Sequence, residues 1–483
     1  MKRSFALMAV TAVASGVLSG CVSMAPHYQR PAPAVPAVWP QMDDAAATEA
    51  SAIADIGWQR FLQDARLRDL VALALQQNRD LRVATLNIER ARAQYRIQRA
   101  DLLPSVSASA EEVAQKTPAT VSQSGVETIS RQYSVDLGVT AWELDLFGRV
   151  RSLKNQALQS YLAQTETQRS AQISLIAEVA GAWLQLGADQ TRLQLAADTY
   201  ASREKTYALT QRRHALGVAS ALDLAQARSS VESARADVAS YRSQVAQDRN
   251  ALQLLAGAPV PEALLPDASV ETLAVLDELP AGVSSSVLQQ RPDVLAAEHQ
   301  LIAANANIGA ARAAFFPRIS LTASAGTAST TLSGLFDSGS GAWSFVPQIS
   351  VPIFAGGANQ ANLDVAHTER EITLAQYDKT LQTAFKEVAD ALALRATVDE
   401  QLAARQALVD ATTQSYALSE ARYRKGVDSY LNLLDAQRTL YSARQSLISA
   451  QLARQTNLVT VYKVLGGGWN AADAAAAGPS SNR

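Results

Sequence analysis

Residues 80–110 read DLRVATLNIERARAQYRIQRADLLPSVSASA, and residues 293–323 read DVLAAEHQLIAANANIGAARAAFFPRISLTA. Further along, YALTQRRHALGVASALDL at 207–224 aligns in the same way with YALSEARYRKGVDSYLNL at 416–433. Two separate stretches that recur in the same order indicate a tandem duplication. The chain is therefore predicted to contain two copies of one structural unit.

Each copy shows the same order of predicted elements: a helix, two strands, a very long helix, a glycine turn and a further helix. In the first copy the opening helix is predicted over about 66–102, and Pro104 ends it because proline cannot continue a helix. The very long helices are predicted over about 148–213 and about 357–424, which contain no proline. Each would extend roughly 100 Å at about 1.5 Å per residue.

Alternation of apolar with small polar residues predicts strands near 105–110, 134–141, 319–326 and 345–353, with a polar loop over about 116–130 between the first two. Such two-faced strands fit a barrel with lipid outside and water inside, but a half-buried sheet in a soluble protein fits them equally well. The aromatic residues that lie where helix meets strand favour the membrane interpretation. They are Trp142, Phe147, Phe315, Phe316 and Phe354.

Four strands per chain cannot close a barrel, for which about eight is the usual minimum, and open sheet edges do not occur in lipid. Several chains must therefore share one barrel. Along the very long helices, apolar residues at coiled-coil spacing predict close helix packing. These residues are Ile173, Ile176, Ala180, Trp183, Gly187, Leu374, Tyr377, Leu381, Ala384, Val388 and Ala391.

The first 21 residues have the pattern of an export signal, in which Lys2 and Arg3 precede a short apolar core. The signal ends in Leu-Ser-Gly-Cys, a bacterial lipobox, so we expect a covalent lipid on Cys21, the only cysteine in the chain. Because no aspartate follows Cys21, sorting to the outer membrane is favoured. A single cysteine also excludes disulfides and thiol-based metal sites.

Composition argues against several other classes of protein. The formal net charge is −2, so a general nucleic-acid surface is not indicated. A transmembrane helix needs an apolar run of about eighteen residues, and no run beyond the signal is that long. The histidines are scattered and no metal-ligand spacing or phosphate loop is present, so we expect neither enzyme activity nor a metal site. A structural coiled-coil or adhesin protein is the other alternative, but it does not explain the duplicated strand pairs.

Five stretches carry a resemblance to a known family: TAWELDLFGRVRS at 140–152, GVASALDL at 217–224, RPDVLAAEHQLIAANANIGAARAAFFP at 291–317, LSGLFDSGSG at 332–341 and YRKGVDSYLNLLDAQR at 423–438. In these the chain resembles the TolC-like outer-membrane factors of tripartite efflux pumps, in particular the OprM-like multidrug-efflux lipoproteins. The resemblance implies an α+β membrane protein. It would be a homotrimer whose twelve-stranded β-barrel, with four strands from each chain, is continued by a long periplasmic α-helical barrel with an equatorial domain.

The resemblance also implies passive export from the cell. An inner-membrane RND transporter and a periplasmic adaptor, the membrane fusion protein, would open the duct for drugs, antibiotics and other small molecules. The alternative functions are an exit duct for type I protein secretion and one for metal-ion efflux. Methionines, the expected copper or silver ligands, all lie before the first repeat, at Met1, Met8, Met24 and Met42. Apart from the lipid on Cys21, no cofactor is expected.

With the resemblance, the chain divides into six predicted segments. They are the cleaved signal peptide 1–20, a lipidated N-terminal and equatorial segment 21–77, repeat 1 at 78–257, an equatorial linker 258–290, repeat 2 at 291–468 and a disordered tail 469–483. Lipid anchoring would hold the chain at the outer membrane while the helical barrel extends into the periplasm.

The same resemblance assigns the site residues. The helical tips that dock the adaptor would be the two glycine turns: Gly217, Val218, Ala219 and Ser220, and Gly426, Val427, Asp428 and Ser429. Leu431 and Asp435 match the family's periplasmic gate and share one helical face, so a trimer would form an apolar ring and a ring of carboxylates. TolC has a second carboxylate where this chain has Asn432. Possible inter-helix latches are Arg422, Tyr423 and Arg424.

Overall fold

The structure of the protein is a computed structural model that describes residues 23–36, 39, 57–267 and 285–467. The predicted signal peptide, Cys21 and the predicted tail lie outside the described residues. The described residues fall into two compact units, which we call the sheet unit and the hairpin unit. The sheet unit contains 23–32, 87–165 and 296–377; the hairpin unit contains 33–36, 39, 57–86, 166–267, 285–295 and 378–467.

The order of elements repeats along the chain, as the duplication predicts. The first half contains α1 (Trp58–Phe61), α2 (Ala65–Gln77), α3 (Arg79–Ala100), β1 (Val106–Thr117), β2 (Thr128–Leu144), α4 (Arg149–Ala215) and α5 (Ala221–Ala256). The second half contains α6 (Pro292–Ala313), β3 (Arg318–Ser329), β4 (Gly341–Ser350), α7 (Ala358–Arg424) and α8 (Tyr430–Val464). Short 3-10 turns lie at Glu262–Leu264, Ser285–Gln290 and Leu332–Gly334.

The two very long helices, α4 and α7, are each 67 residues long and lie within a few residues of their predicted bounds. Their predicted apolar seams are largely buried. The fully buried members include Ala180, Trp183, Leu381, Ala384 and Val388. None of the described helices is both long and apolar enough to cross a membrane.

The opening helix differs from the prediction, because it breaks at Asn78 into α2 and α3. Asn78 is buried with an extended backbone, and its Oδ1 accepts the Leu81 N–H at 2.9 Å, which caps α3. Its Nδ2 donates to the Leu255 carbonyl at 2.9 Å, near the end of α5. Gly257 follows closely, and a Cβ there would collide with the Gln77 carbonyl. These partners are distant in sequence, so the periodicity around 66–102 cannot reveal the break.

The four strands form one antiparallel sheet in the order β1-β2-β3-β4. β1 and β2 are longer than predicted, so the loop between them is 118–127 instead of about 116–130. β4 ends earlier than predicted, at Ser350, and Val351 and Ile353 lie beyond it. Among the described strands, β1 and β4 are the sheet edges.

A β-bulge interrupts the alternation in β2, where the register with β3 shifts between Val139 and Trp142. Ala141 has a φ of 50°, and its N–H donates to the Thr322 hydroxyl at 3.1 Å. The extra residue reverses the phase of the strand, so Trp142 continues the apolar face that Val139 belongs to. The predicted alternation through Ala141 is therefore wrong at this point, because the rule of period two does not foresee an inserted residue.

Candidate functional site

The sheet carries an exposed apolar face. In β3 and β4 its opposed pairs are Ile319–Ile349, Leu321–Pro347, Ala323–Phe345 and Ala325–Trp343. Trp343 is 79% exposed, Ile349 65% and Phe345 59%. A contiguous apolar face of this kind marks a surface that contacts another molecule or a membrane. The opposite face is small and polar, with Ser109 donating to Asp136 at 3.1 Å.

Two of the aromatic residues at the helix–strand junctions contact each other. Phe147 and Phe316 stack with ring centroids 4.9 Å apart. Beside them, the Glu143 carboxylate accepts from Arg149 at 2.7 Å and forms an ion pair with Arg318 at 2.6 Å. The two ion pairs join the end of β2 to the starts of α4 and β3. Phe354, in contrast, is 90% exposed.

Residues 23–30, which we call the N-terminal strap, lie along α6 in the sheet unit. Arg30 forms a two-bonded ion pair with Glu298 at 2.7 and 2.6 Å, and the Tyr28 hydroxyl donates to the same carboxylate at 3.1 Å. Further along the strap, Asn305 donates to the Pro26 carbonyl at 2.8 Å.

The contact between the strap and α6 continues to Gly309, where a Cβ would lie 2.6 Å from the backbone nitrogen of Ala25. Arg312 donates to the Met24 carbonyl at 3.4 Å. The strap thus runs antiparallel to α6, and its first described residues lie at the end of α6 that leads into β3. No pattern in the sequence predicts this contact.

The two glycine turns have the same backbone geometry. Gly217 and Gly426 both have a φ of 74°, and the following residues, Val218 and Val427, donate back to the carbonyls five positions earlier. These are Schellman turns, which need the left-handed conformation that glycine adopts freely. Each turn forms the end of a helical hairpin. The exposed apolar residues at these two ends are Leu216, Val218, Leu222, Val427 and Leu431.

The two turns differ in how the next helix is capped. Ser220 and Asp223 form a reciprocal capping box at the start of α5. Ser429 makes no side-chain capping bond at the start of α8. In its place, Arg422 and Asp428 form an ion pair at 2.6 Å across the second turn, and this bond holds the pKa of the Asp428 carboxyl below its usual range.

The three predicted latch residues have different partners in the structure. Arg422, in the last turn of α7, binds Asp428 in the second glycine turn. Arg424 binds Glu420 one helical turn earlier, at 2.8 Å. Both side chains thus bind carboxylates close in sequence, and their role as inter-helix latches stays a prediction.

Tyr423 is the predicted latch residue that does join two hairpins. It is buried, its hydroxyl lies 3.4 Å from that of Thr210 in α4, and the Arg213 guanidinium lies 4.7 Å from its ring centre. Its ring also contacts Tyr430 at 5.8 Å between centroids. A small apolar core therefore lies behind the two turns, completed by Ala227, Leu433 and Leu434.

The predicted gate residues lie on the other side of α8 from this core. Leu431 is 56% exposed and Asp435 is exposed as well, while Leu434 is buried. The Asp435 carbonyl accepts the Thr439 hydroxyl at 2.9 Å within the helix. Both side chains are thus available on one exposed face, as their spacing predicts.

The comparisons with known proteins agree with this geometry. The family model described as outer membrane efflux protein matches residues 70–258 and 283–467. The chain belongs to the outer membrane efflux protein family. Among relatives, the probable efflux pump outer membrane protein TtgC of Pseudomonas putida is 50% identical over 97% of this chain and 96% of its own length. Outer membrane protein OprJ of Pseudomonas aeruginosa is 45% identical over 95% and 96%.

Solved structures of outer membrane efflux proteins have the same fold. A membrane protein from Pseudomonas aeruginosa superposes with a TM-score of 0.87 at 45% identity, covering 93% of this chain and 98% of that chain. The open state of the MtrE outer membrane channel of Neisseria gonorrhoeae gives 0.82 at 41%, covering 92% and 98%. The predicted family, fold class and outer-membrane location are thereby confirmed. The protein is an outer-membrane efflux channel, and the family's members are channels.

Proposed function

We propose that the protein is one subunit of a homotrimeric, lipid-anchored duct that carries small molecules passively from an inner-membrane RND transporter to the cell exterior. A periplasmic adaptor would connect the two, and the duct itself would do no chemistry. The observation that carries this proposal is the exposed face of α8 with Leu431 and Asp435, directly behind the second glycine turn. Three copies of that face would give one apolar ring and one ring of carboxylates.

The cargo proposal rests on the relatives. Their names include a toluene efflux pump protein and an antibiotic efflux pump protein of Pseudomonas putida, each 50% identical to this chain. Both cargoes are small, and toluene is wholly apolar. We therefore propose small apolar and amphiphilic compounds as cargo. The test is susceptibility to toluene and to antibiotics in a strain lacking this protein, with the wild-type chain restored as the control.

The lipid anchor is supported by the N-terminal strap. The first described residues of the strap lie at the end of α6 that leads into β3, and Cys21 precedes them by two residues in the sequence. A lipid on Cys21 would then lie near the exposed apolar face. Mass spectrometry of the mature protein tests this, and a Cys21→Ala variant provides the unlipidated control.

The gate is tested by single-channel conductance of the purified protein in planar bilayers. Asp435→Ala removes the ring of carboxylates, and we expect weaker closure and a higher conductance. Glu400→Ala is the matched control, because Glu400 is also an exposed carboxylate but lies on a different helix, α7. Equal conductance of wild-type and Asp435→Ala channels, together with unchanged drug uptake, would contradict the gate role.

A further inference from the structure

A cavity of about 110 Å³ lies in the hairpin unit between α4, α7 and α8. Its lining includes Ser202 and Arg203 from α4, Tyr416 from α7, and Gln437 and Arg444 from α8. The cavity begins two residues beyond Asp435 on α8, so it adjoins the exposed face that carries the gate residues. No residue of the two glycine turns lines it.

Arg203 is the unusual member of this lining. Only 6% of it is exposed, yet within the part of the chain that the structure describes no carboxylate forms an ion pair with it. Its Nη1 donates to the Ser230 carbonyl at 3.0 Å, and its guanidinium lies 5.6 Å from the Tyr441 ring centre. Its Nε is buried without a partner. A buried cation without a counter-charge is costly.

The nearby carboxylates are already engaged elsewhere. Asp237 accepts the Tyr441 hydroxyl at 3.2 Å, and Asp198, at the exposed rim of the cavity, accepts from Gln194 at 3.1 Å. Burial lowers the pKa of the Arg203 guanidinium, and Asp237 opposes this only in part. Among the described residues, Asp237 therefore acts on Arg203 only from a distance, without an ion pair.

A second unpartnered group lies in the same cavity. Gln437 is 9% exposed, and its Oε1 is buried without a hydrogen-bond partner. Because the two ends of an amide can exchange, Gln437 is able to offer its NH2 group to the cavity instead. Arg444, on the same helix, adds a second guanidinium from the exposed side.

We propose that this cavity binds a small inorganic anion such as chloride or phosphate, held between Arg203 and Arg444. The Ser202 hydroxyl and the Gln437 amide complete the set of donors. Such an anion would supply the counter-charge that Arg203 lacks, and guanidinium groups are the protein donors best suited to it.

The bound anion would join α4 to α8 just beyond the gate residues. It would therefore hold α8 against its neighbour and favour one position of Leu431 and Asp435. This consequence rests on the proposed gate role, whereas the binding of the anion does not. A crystal soaked in bromide tests the binding directly, because bromide replaces chloride and is located by its anomalous scattering.

Thermal unfolding in detergent provides the second test. We expect chloride or phosphate to raise the Tm of the wild-type protein by on the order of 2 °C over gluconate at the same ionic strength. Arg203→Met and Arg444→Met should lose at least half of that rise. Arg444 is exposed, so its variant should fold even if the Arg203 variant does not. Arg228→Met, an exposed arginine on α5, is the control and should keep the full rise.

The proposal is overturned by either of two results. One is the absence of bromide from the cavity in wild-type crystals, which would mean that the cavity holds water only. The other is an equal rise in Tm in the wild type, Arg444→Met and Arg228→Met, which would mean that anions act on the protein as a whole.

Discussion

Gly217 and Gly426 occupy equivalent turns with the same left-handed backbone, and in both cases a Cβ would meet nothing within 4 Å. The need for glycine here is therefore one of conformation and not of space. This requirement was predictable from the sequence, because the two glycines align in the internal repeat and follow the ends of long helices.

We expect Gly426→Ala to destabilise the protein, since the left-handed conformation costs an L-residue about 1–2 kcal/mol. The measurement is the Tm in detergent. Gly341→Ala is the control, because Gly341 also has open space around its Cβ position but no positive φ. A Tm for Gly426→Ala equal to that of the control would show that the turn relaxes into another conformation.

Other single residues could not be assigned from the sequence. In the sequence Arg203 looks like an ordinary solvated charge on a long polar helix, whereas in the structure it is buried and contacts α5 and α8. Arg422, Tyr423 and Arg424 are adjacent in the sequence, which does not distinguish their surroundings. The structure separates them, since only Tyr423 points into the core behind the turns.

At the scale of elements, α4 and α5 share a pair of buried carboxyl groups. Asp189 is 2% exposed and Asp248 is 8% exposed. Asp189 is held by Gln185 at 2.6 Å and Arg192 at 2.7 Å, and Asp248 by Gln244 at 2.9 Å. Burial raises the pKa of Asp248, and the Asp189 carboxylate raises it further.

A raised carboxyl pKa means that the folded state holds its proton more tightly than the unfolded state. The free energy of unfolding should therefore fall as pH rises above the usual aspartate range. As pH rises from about 4, we expect the Tm of Asp248→Asn to fall less than that of the wild type. Asp410→Asn is the control, because Asp410 has the same contact with a glutamine one turn earlier but is exposed. Parallel pH profiles for all three proteins would contradict this assignment.

The N-terminal strap depends on close approach at one glycine of α6. We expect Gly309→Ala to displace it, because the added Cβ would lie 2.6 Å from both the Ala25 nitrogen and the Ser152 hydroxyl. Faster cleavage by chymotrypsin after Tyr28 would report the displacement. Gly181→Ala is the control, since its Cβ position is open. Equal cleavage rates in the two variants would argue that the strap accommodates the methyl group.

The helices and strands were easier to predict from the sequence than the helix break and the β-bulge that interrupt them. The two 67-residue helices and the strand pairs follow from local periodicity alone. The break at Asn78 and the bulge at Ala141 depend on the Leu255 carbonyl and the Thr322 hydroxyl, which lie far away in the chain. Local patterns carry no information about such partners.

At the scale of the whole molecule, the sheet leaves β1 and β4 as edges among the described strands. In a membrane those edges must pair, so neighbouring chains have to supply the missing partners. We expect light scattering of the detergent-solubilised protein, corrected for bound detergent, to give the mass of three chains. A monomer that conducts ions in a bilayer would contradict the expectation that neighbouring chains pair with these edges.

The strap also has a consequence for the order of folding. Tyr28 and Arg30 bind Glu298, which is 270 and 268 residues further along the chain. Contacts between residues so far apart form late, because the entropy of closing the intervening loop must first be offset. The strap can dock only after α6 of the second repeat has been synthesised and has folded. Protection of Tyr28 from protease during refolding would therefore report that the second repeat is in place.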